Sequence, residues 1–223
     1  MIANWDKSGR SWNNSHMTTI KAAMTAAGHR VDGDAAITAA SVATAAVYIL
    51  GEPTTAPTPT ELEHLRQFVN RGGMLLVFGD TGINLPAYNN LLAGVGSTIT
   101  YVTTTIGTTS ALPDGKFTRA PINIIGNSLT VSSGNGTAGG TLIDNNYVRY
   151  EQLGAGYVLA FGDRIDHNDV ISATNIALLL NAVSFAISPL LPIPTLSALA
   201  LIGLALLTGA FAAVRLRRSR NPA

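Results

Sequence analysis

Residues 45–80 read AAVYILGEPTTAPTPTELEHLRQFVNRGGMLLVFGD. They hold a strand, a helix and a second strand in that order. Ala45–Leu50 is an unbroken apolar run stopped by Gly51. It is too short for a stable helix and carries β-branched and aromatic members, so it reads as a strand buried on both faces. Pro53, Pro57 and Pro59 make the following segment a loop. Thr58-Pro59-Thr60-Glu61 then supplies an N-cap hydroxyl, a proline at the first helical position and a carboxylate at the third. Leu62, Leu65 and Val69 fall on one helical face, and Gly72-Gly73 ends the helix. Met74–Phe78 is the second buried strand, closed by Gly79-Asp80. Two buried strands joined by a helix form a parallel unit with a right-handed crossover.

The alternation continues outward from this unit. Met17, Ile20, Met24 and Ala27 share one face of a helix expected over Ser15–Ala27, with Gly28 beyond its end. His29–Asp32 reads as a short strand. Only Ile2 and Ala3 remain to supply a strand before that helix. We therefore expect the sequence to open inside its first strand, with a signal peptide further upstream. On the other side come a short helix over Leu85–Ala93, a strand over Tyr157–Phe161 ended by Gly162-Asp163, and a closing helix over Ser172–Ile187. Asn175 and Asn181 suit that last helix to a sheet face rather than a membrane.

Residues 94–153 break the pattern. Ser97–Ser110 holds nine Ser or Thr in fourteen positions, and Gly134-Asn135-Gly136 and Gly139-Gly140 are turn signals. They read as β-hairpins inserted at one side of the sheet. The expected fold class is α/β: a doubly wound, mainly parallel sheet with inserted β-hairpins over residues 1–188, plus one C-terminal transmembrane helix.

The pattern Leu62-x-x-Leu65-x-x-Phe68-Val69-x-x-Gly72-Gly73 before a strand resembles the class I glutamine amidotransferase-like, flavodoxin-like fold. So does Gly154-x-Gly156-Tyr157-Val158-Leu159-Ala160-Phe161-Gly162-Asp163 followed by Asn175-x-x-Leu178-x-x-Asn181-Ala182-Val183. That family places a catalytic Cys on the turn after a central strand. Here the turn is Gly79-Asp80-Thr81-Gly82 and the chain has no Cys, so the resemblance implies the fold without the amidotransferase activity.

Of the 223 residues, 47% are hydrophobic and 12% charged, where soluble domains carry about 25% charge. This composition excludes a disordered chain and a charge-rich coiled coil. The absence of Cys excludes disulfides, Cys-ligated zinc and a thiol nucleophile. Four of the fourteen basic residues, Arg215, Arg217, Arg218 and Arg220, crowd the C-terminus. The remainder is mildly acidic, which argues against a nucleic-acid face.

That basic cluster follows a 19-residue apolar run, Leu196–Val214. As a helix the run spans about 28 Å, the thickness of a bilayer core. Arginines just beyond a span stay cytoplasmic, so the body would lie on the exported side. Residues 189–195 form a Pro-rich linker in which Pro192 and Pro194 hold the backbone extended. Ile193-Pro194-Thr195-Leu196-Ser197, the apolar span and the Arg cluster together resemble the IPTL-CTERM sorting signal of exported Gram-negative proteins. The resemblance covers residues 192–220. It implies recognition by an exosortase, with the bilayer as a second partner, and processing of the body to the cell surface from the inner membrane.

Candidate chemistry gathers at the predicted carboxyl ends of the strands. The loops there are Asn4-Trp5-Asp6, Gly51-Glu52, Gly79-Asp80-Thr81 and Gly162–Asp169. One reading is a Mg²⁺ or Ca²⁺ site using Asp80, Asp163, Asp166 and Asp6. The other is capping, in which Asp80 and Asp163 accept backbone N–H bonds. His167, between Asp166 and Asp169, has the setting of a general base. His16, His29 and His64 show no metal spacing in sequence. No Gly-x-Ser-x-Gly occurs, and Gly134–Gly139 lacks the Lys of a phosphate-binding loop, so it reads as turns. Trp5 and Trp12 with Asn13-Asn14 have the makings of a sugar-stacking loop. No cofactor is expected. The favoured function is a non-catalytic surface or matrix module facing an extracellular ligand such as a polysaccharide. The alternative is a divergent hydrolase or a metal- or ligand-binding enzyme.

Overall fold

The computed structural model describes residues 1–53 and 55–187. The expected sorting motif Ile193–Ser197, the span 196–214 and Arg215, Arg217, Arg218 and Arg220 lie outside the described residues. Among those described, no helix is long and apolar enough to cross a membrane. The chain divides after Ser188 into two units, of which the first is described below.

A seven-stranded sheet carries the body, in the order β2-β1-β3-β4-β9-β8-β7. Its parallel part comprises β1 (Ile2–Trp5), β2 (Val31–Ala35), β3 (Val47–Gly51), β4 (Met74–Phe78) and β9 (Gly156–Phe161). Two antiparallel strands, β8 (Val148–Leu153) and β7 (Thr141–Asp144), extend it beyond β9. β3, β4 and β9 are buried along their whole length, as the continuous apolar runs require of strands covered on both faces.

Helices cover both faces. α1 (Thr18–Ala26) and α5 (Ala173–Ile187) pack Met24, Leu178 and Val183 against Ile49, Leu76 and Phe161. α2 (Ala39–Thr44), α3 (Pro59–Asn70) and α4 (Leu85–Gly94) pack Val42, Leu65, Phe68 and Leu92 against Tyr48, Leu75 and Val158. α3 starts as its sequence requires. Thr58 Oγ1 accepts the Glu61 N–H at 3.3 Å, and Glu61 Oε2 accepts the Thr58 N–H at 2.8 Å. Such a reciprocal cap contributes about 1 kcal/mol.

Several expectations are corrected. The helix expected over 15–27 splits into a 3₁₀ turn, Ser15–Met17, and α1. The early strand runs to Trp5, so Asn4 and Trp5 belong to β1 rather than to the loop after it. α2 was not anticipated. Its capping box uses Ser41 where Glu or Gln is the recognisable partner. Gly134-Asn135-Gly136 is not a turn but part of β6 (Gly134–Ala138), which pairs antiparallel with β5 (Thr100–Ile106) in a separate two-stranded sheet. Glycine is needed there for proximity: a Cβ on Gly134 would meet the Gly162 carbonyl, and a Cβ on Gly162 would meet the Asn135 carbonyl.

The loop between β5 and β6 sends Leu112, Phe117, Ile124 and Leu129 into the core beneath α5. Two fully buried asparagines of α5 hold its backbone. Asn181 accepts the Ile122 N–H at 2.9 Å and donates to the Phe117 and Ile122 carbonyls at 2.9 and 2.8 Å. Asn175 pairs with both the N–H and the C=O of Thr130, at 2.9 and 2.8 Å.

Candidate functional site

The parallel strands end together at one edge. Strand succession reverses between β1 and β3, which is where open α/β sheets form a ligand crevice. In this chain the segment after β1 folds over that position. The Gly9 N–H donates to the Glu52 carbonyl at 2.7 Å, the Arg10 N–H to the Gly51 carbonyl at 3.4 Å, and Ser8 bridges to Pro53. Buried Asn4 holds the cover in place, donating to the Arg10 carbonyl at 3.1 Å and to Asp34 Oδ1 at 2.8 Å. Asp34 also accepts from Ser11 Oγ, the Trp12 N–H and Asn13 Nδ2. Burial alone would raise its pKa, but these bonds outweigh burial and hold it below the usual range.

Beside this cover lies a charge cluster. Arg164 contacts Glu52 and reaches Asp80 Oδ2 at 3.0 Å, and Arg10 Nε lies 3.2 Å from Glu52 Oε2. The side chains of Arg164, Glu52 and Asp80 are 16–20% exposed, so this is a largely desolvated network. Burial pushes the Glu52 carboxyl up, and Arg164 and Arg10 oppose it. Glu52 holds φ at 48°, a left-handed backbone uncommon outside Gly and Asn. An open cleft of about 330 Å³ runs along the cluster, lined by Glu52, Asp80, Thr81, Asn84 and Tyr88.

The sequence-predicted residues take separate positions. Asp80 accepts the Thr81 N–H at 2.6 Å and joins Arg164. Asp163, fully buried, accepts the Ser132 N–H at 2.8 Å, Ser132 Oγ at 3.1 Å and the Arg164 N–H at 2.8 Å. Neither caps a helix. α4 takes its cap from Asn84, and α5 starts ten residues after Asp163. Asp163 instead ties the segment before β6 to the end of β9. Burial raises Asp163, against the bonds from Ser132 and Arg164, and raises Asp166 to about 7. Asp6 is exposed. His167 is buried and stacks on His16, ring centroids 4.4 Å apart. The sugar-stacking reading fails for both tryptophans: Trp5 and Trp12 are core residues on opposite faces of the sheet.

Arg10, Asp34 and Arg164 were not singled out from sequence. Arg164 stands directly after Asp163, yet nothing local shows that it turns back to β3 and β4. Arg10 and Asp34 carry no motif at all.

No family model and no curated protein matches the chain. Its fold is similar to that of the mmIFT52 N-terminal domain, with TM-score 0.65 and 13% identity over 83% of this chain and 96% of that one. It is also similar to the cytoplasmic protein STM3548 from Salmonella typhimurium, with TM-score 0.57 and 11% identity over 82% and 98%. A β-galactosidase from Bacillus circulans sp. alkalophilus matches at TM-score 0.57 and 13% identity, over 82% of this chain and 30% of that one. At these identities the likeness is one of fold.

Proposed function

We propose that this chain is an exported bacterial surface module whose α/β body binds without catalysing, and whose C-terminal segment anchors it in the inner membrane until an exosortase processes it. The observation that carries the non-catalytic reading is the switch-point crevice, which is covered by residues 8–10. The neighbouring charges of Arg10, Glu52, Asp80 and Arg164 are spent on one another. The anchoring reading rests on the apolar run 196–214, the arginines after it, and the IPTL pattern at 193–197. Extracellular polysaccharide is the ligand class proposed for the body. The cleft beside Glu52 and Asp80 favours a second reading, a ligand-binding enzyme, which loss of an activity on changing Asp80 would support.

The test places the chain behind a signal peptide in a host with the matching exosortase. Removing Leu196–Ala223 should release the body from membranes. Changing Pro194 and Thr195 together to Ala should leave insertion intact and make uncleaved precursor accumulate. A truncated protein that still sediments with membranes, or a mature product of unchanged mass from the double variant, would refute the anchoring and processing reading.

A further inference from the structure

Outside the Glu52–Arg164–Asp80 cluster, three side chains from two distant segments meet. His16 sits in the 3₁₀ turn before α1, and His167 and Asp169 sit in the loop after β9. One ligand atom from each lies within 4.8 Å of the other two. Each oxygen of the Asp169 carboxylate faces one imidazole: Oδ2 is 3.0 Å from His167 Nδ1, and Oδ1 is 3.9 Å from His16 Nδ1. The rings are stacked, inclined by 17°.

The juxtaposition is built rather than incidental. Asn168, between two of the three residues, fastens the loop to the start of α1. Its N–H donates to the His16 carbonyl at 2.9 Å, its Nδ2 donates to the Ser15 carbonyl and Thr18 Oγ1 at 3.1 Å each, and its Oδ1 accepts the Thr19 N–H at 3.3 Å. Four bonds from one residue thus fix the distance between the two imidazoles. His167 supplies a second, independent observation. It is 2% exposed, its polar contacts at Nδ1 both go to Asp169, and its Nε2 has no hydrogen-bond partner among the described residues. Burying an imidazole with one nitrogen unpaired costs stability, and its hydrogen bonds do not account for its position.

We propose that His16, His167 and Asp169 form a binding site for a divalent transition metal of the Zn²⁺, Co²⁺ or Ni²⁺ class. Two imidazoles and one carboxylate are the donor set such ions prefer over Mg²⁺ or Ca²⁺, which take oxygen ligands. Bonds of about 2.0–2.2 Å require the three ligand atoms to draw together. The side chains of His16 and Asp169 are 47% and 66% exposed and have room to do so, while buried His167 stays fixed. Three protein ligands leave coordination positions open to solvent. The site joins the start of α1 to the loop after β9, so the ion would clasp two segments about 150 positions apart. The inference stands apart from anchoring and processing, since none of its residues belongs to the tail.

The test uses the full chain without added histidines. Titration with Co²⁺ should give saturable d–d absorption bands, and Zn²⁺ should displace them. His16→Gln and Asp169→Asn change exposed residues and leave the fold intact by circular dichroism. Each should weaken Co²⁺ binding at least 10-fold. His167→Gln should abolish binding, with any folding defect visible in the same spectra. Absence of saturable binding to the unmutated chain, or affinity unchanged in both exposed-site variants, would overturn the proposal.

Discussion

Arg164 Nε lies 3.0 Å from Asp80 Oδ2, which ties the ends of two neighbouring parallel strands whose residues stand 84 positions apart. The same guanidinium contacts Glu52 at the end of the next strand. One cation thus staples β3, β4 and β9 at their carboxyl edge, where three strand ends would otherwise present two partly buried carboxylates to each other.

Removing that cation leaves both carboxylates short of a partner. Arg164→Met should cost about 3 kcal/mol in urea unfolding, the usual size for breaking a desolvated pair from one side. Glu52→Gln introduced with it should restore part of the loss. A single-variant cost below about 1 kcal/mol would mean that water screens the cluster as it does a surface pair.

Asp166 gives a pH signature. Burial holds its folded pKa near 7, above an unfolded value of about 3.9. The folded state therefore binds this proton more tightly. The resulting stabilisation is complete below about pH 4 and is lost as pH rises to 7. Asp166→Asn carries no charge at any pH, so its stability relative to the unmutated protein should climb between pH 4 and 7 and level off above. The climb should be on the order of a few kcal/mol. Asp34 and Glu61, held below their usual range, act in the opposite sense, but they are common to both proteins and cancel in the difference. A pH-independent difference would refute the shift.

Gly162→Ala should be among the most damaging small substitutions, costing more than about 3 kcal/mol. Its new Cβ would land on the Asn135 carbonyl and force β6 away from the end of β9. Gly126→Ala is the control. Its φ of 83° strains any side chain, but nothing lies within 4 Å, so the cost should stay near 1 kcal/mol. Equal melting temperatures for the two variants would contradict the close approach.

Mg²⁺ or Ca²⁺ at about 1 mM should leave the melting temperature where EDTA leaves it. The oxygens of Asp163 already accept three donors, and Asp80 is held by Thr81 and Arg164. A micromolar site at that concentration would add about 4 kcal/mol and raise the melting point by about 5 °C or more. Such a rise, lost in Asp163→Ala, would restore the carboxylate metal site.

The parallel half of the fold was legible because its signals are local. Apolar runs closed by Gly, and the Thr58–Glu61 cap, need no tertiary context. The insertion was legible only in outline: its antiparallel strands were expected, and Gly139-Gly140 do turn between β6 and β7, but Gly134 and Gly136 lie within β6, and Gly134 serves a close backbone contact whose partner cannot be read along the chain. The candidate sites divide in the same way. Asp80, Asp163, Asp166 and His167 are conspicuous at strand ends, and a sequence scan finds them. Their partners Arg164, Ser132 and His16 become visible only when the chain is folded. Asn175 and Asn181 correctly placed α5 on the body, since an Asn inside an apolar helix must find partners.

The adjacency of β4 and β9 has a kinetic consequence. Residues 79–155 intervene between the two strands, so pairing Leu76 with Leu159 closes a long loop before it returns any contact energy. Until Phe161 has left the ribosome, β4 is an apolar strand with one flank unpaired, a template for association with other chains. A chain of this order reaches its native sheet late in synthesis and spends the interval with its most hydrophobic edge uncovered, when a holding chaperone would have its best target.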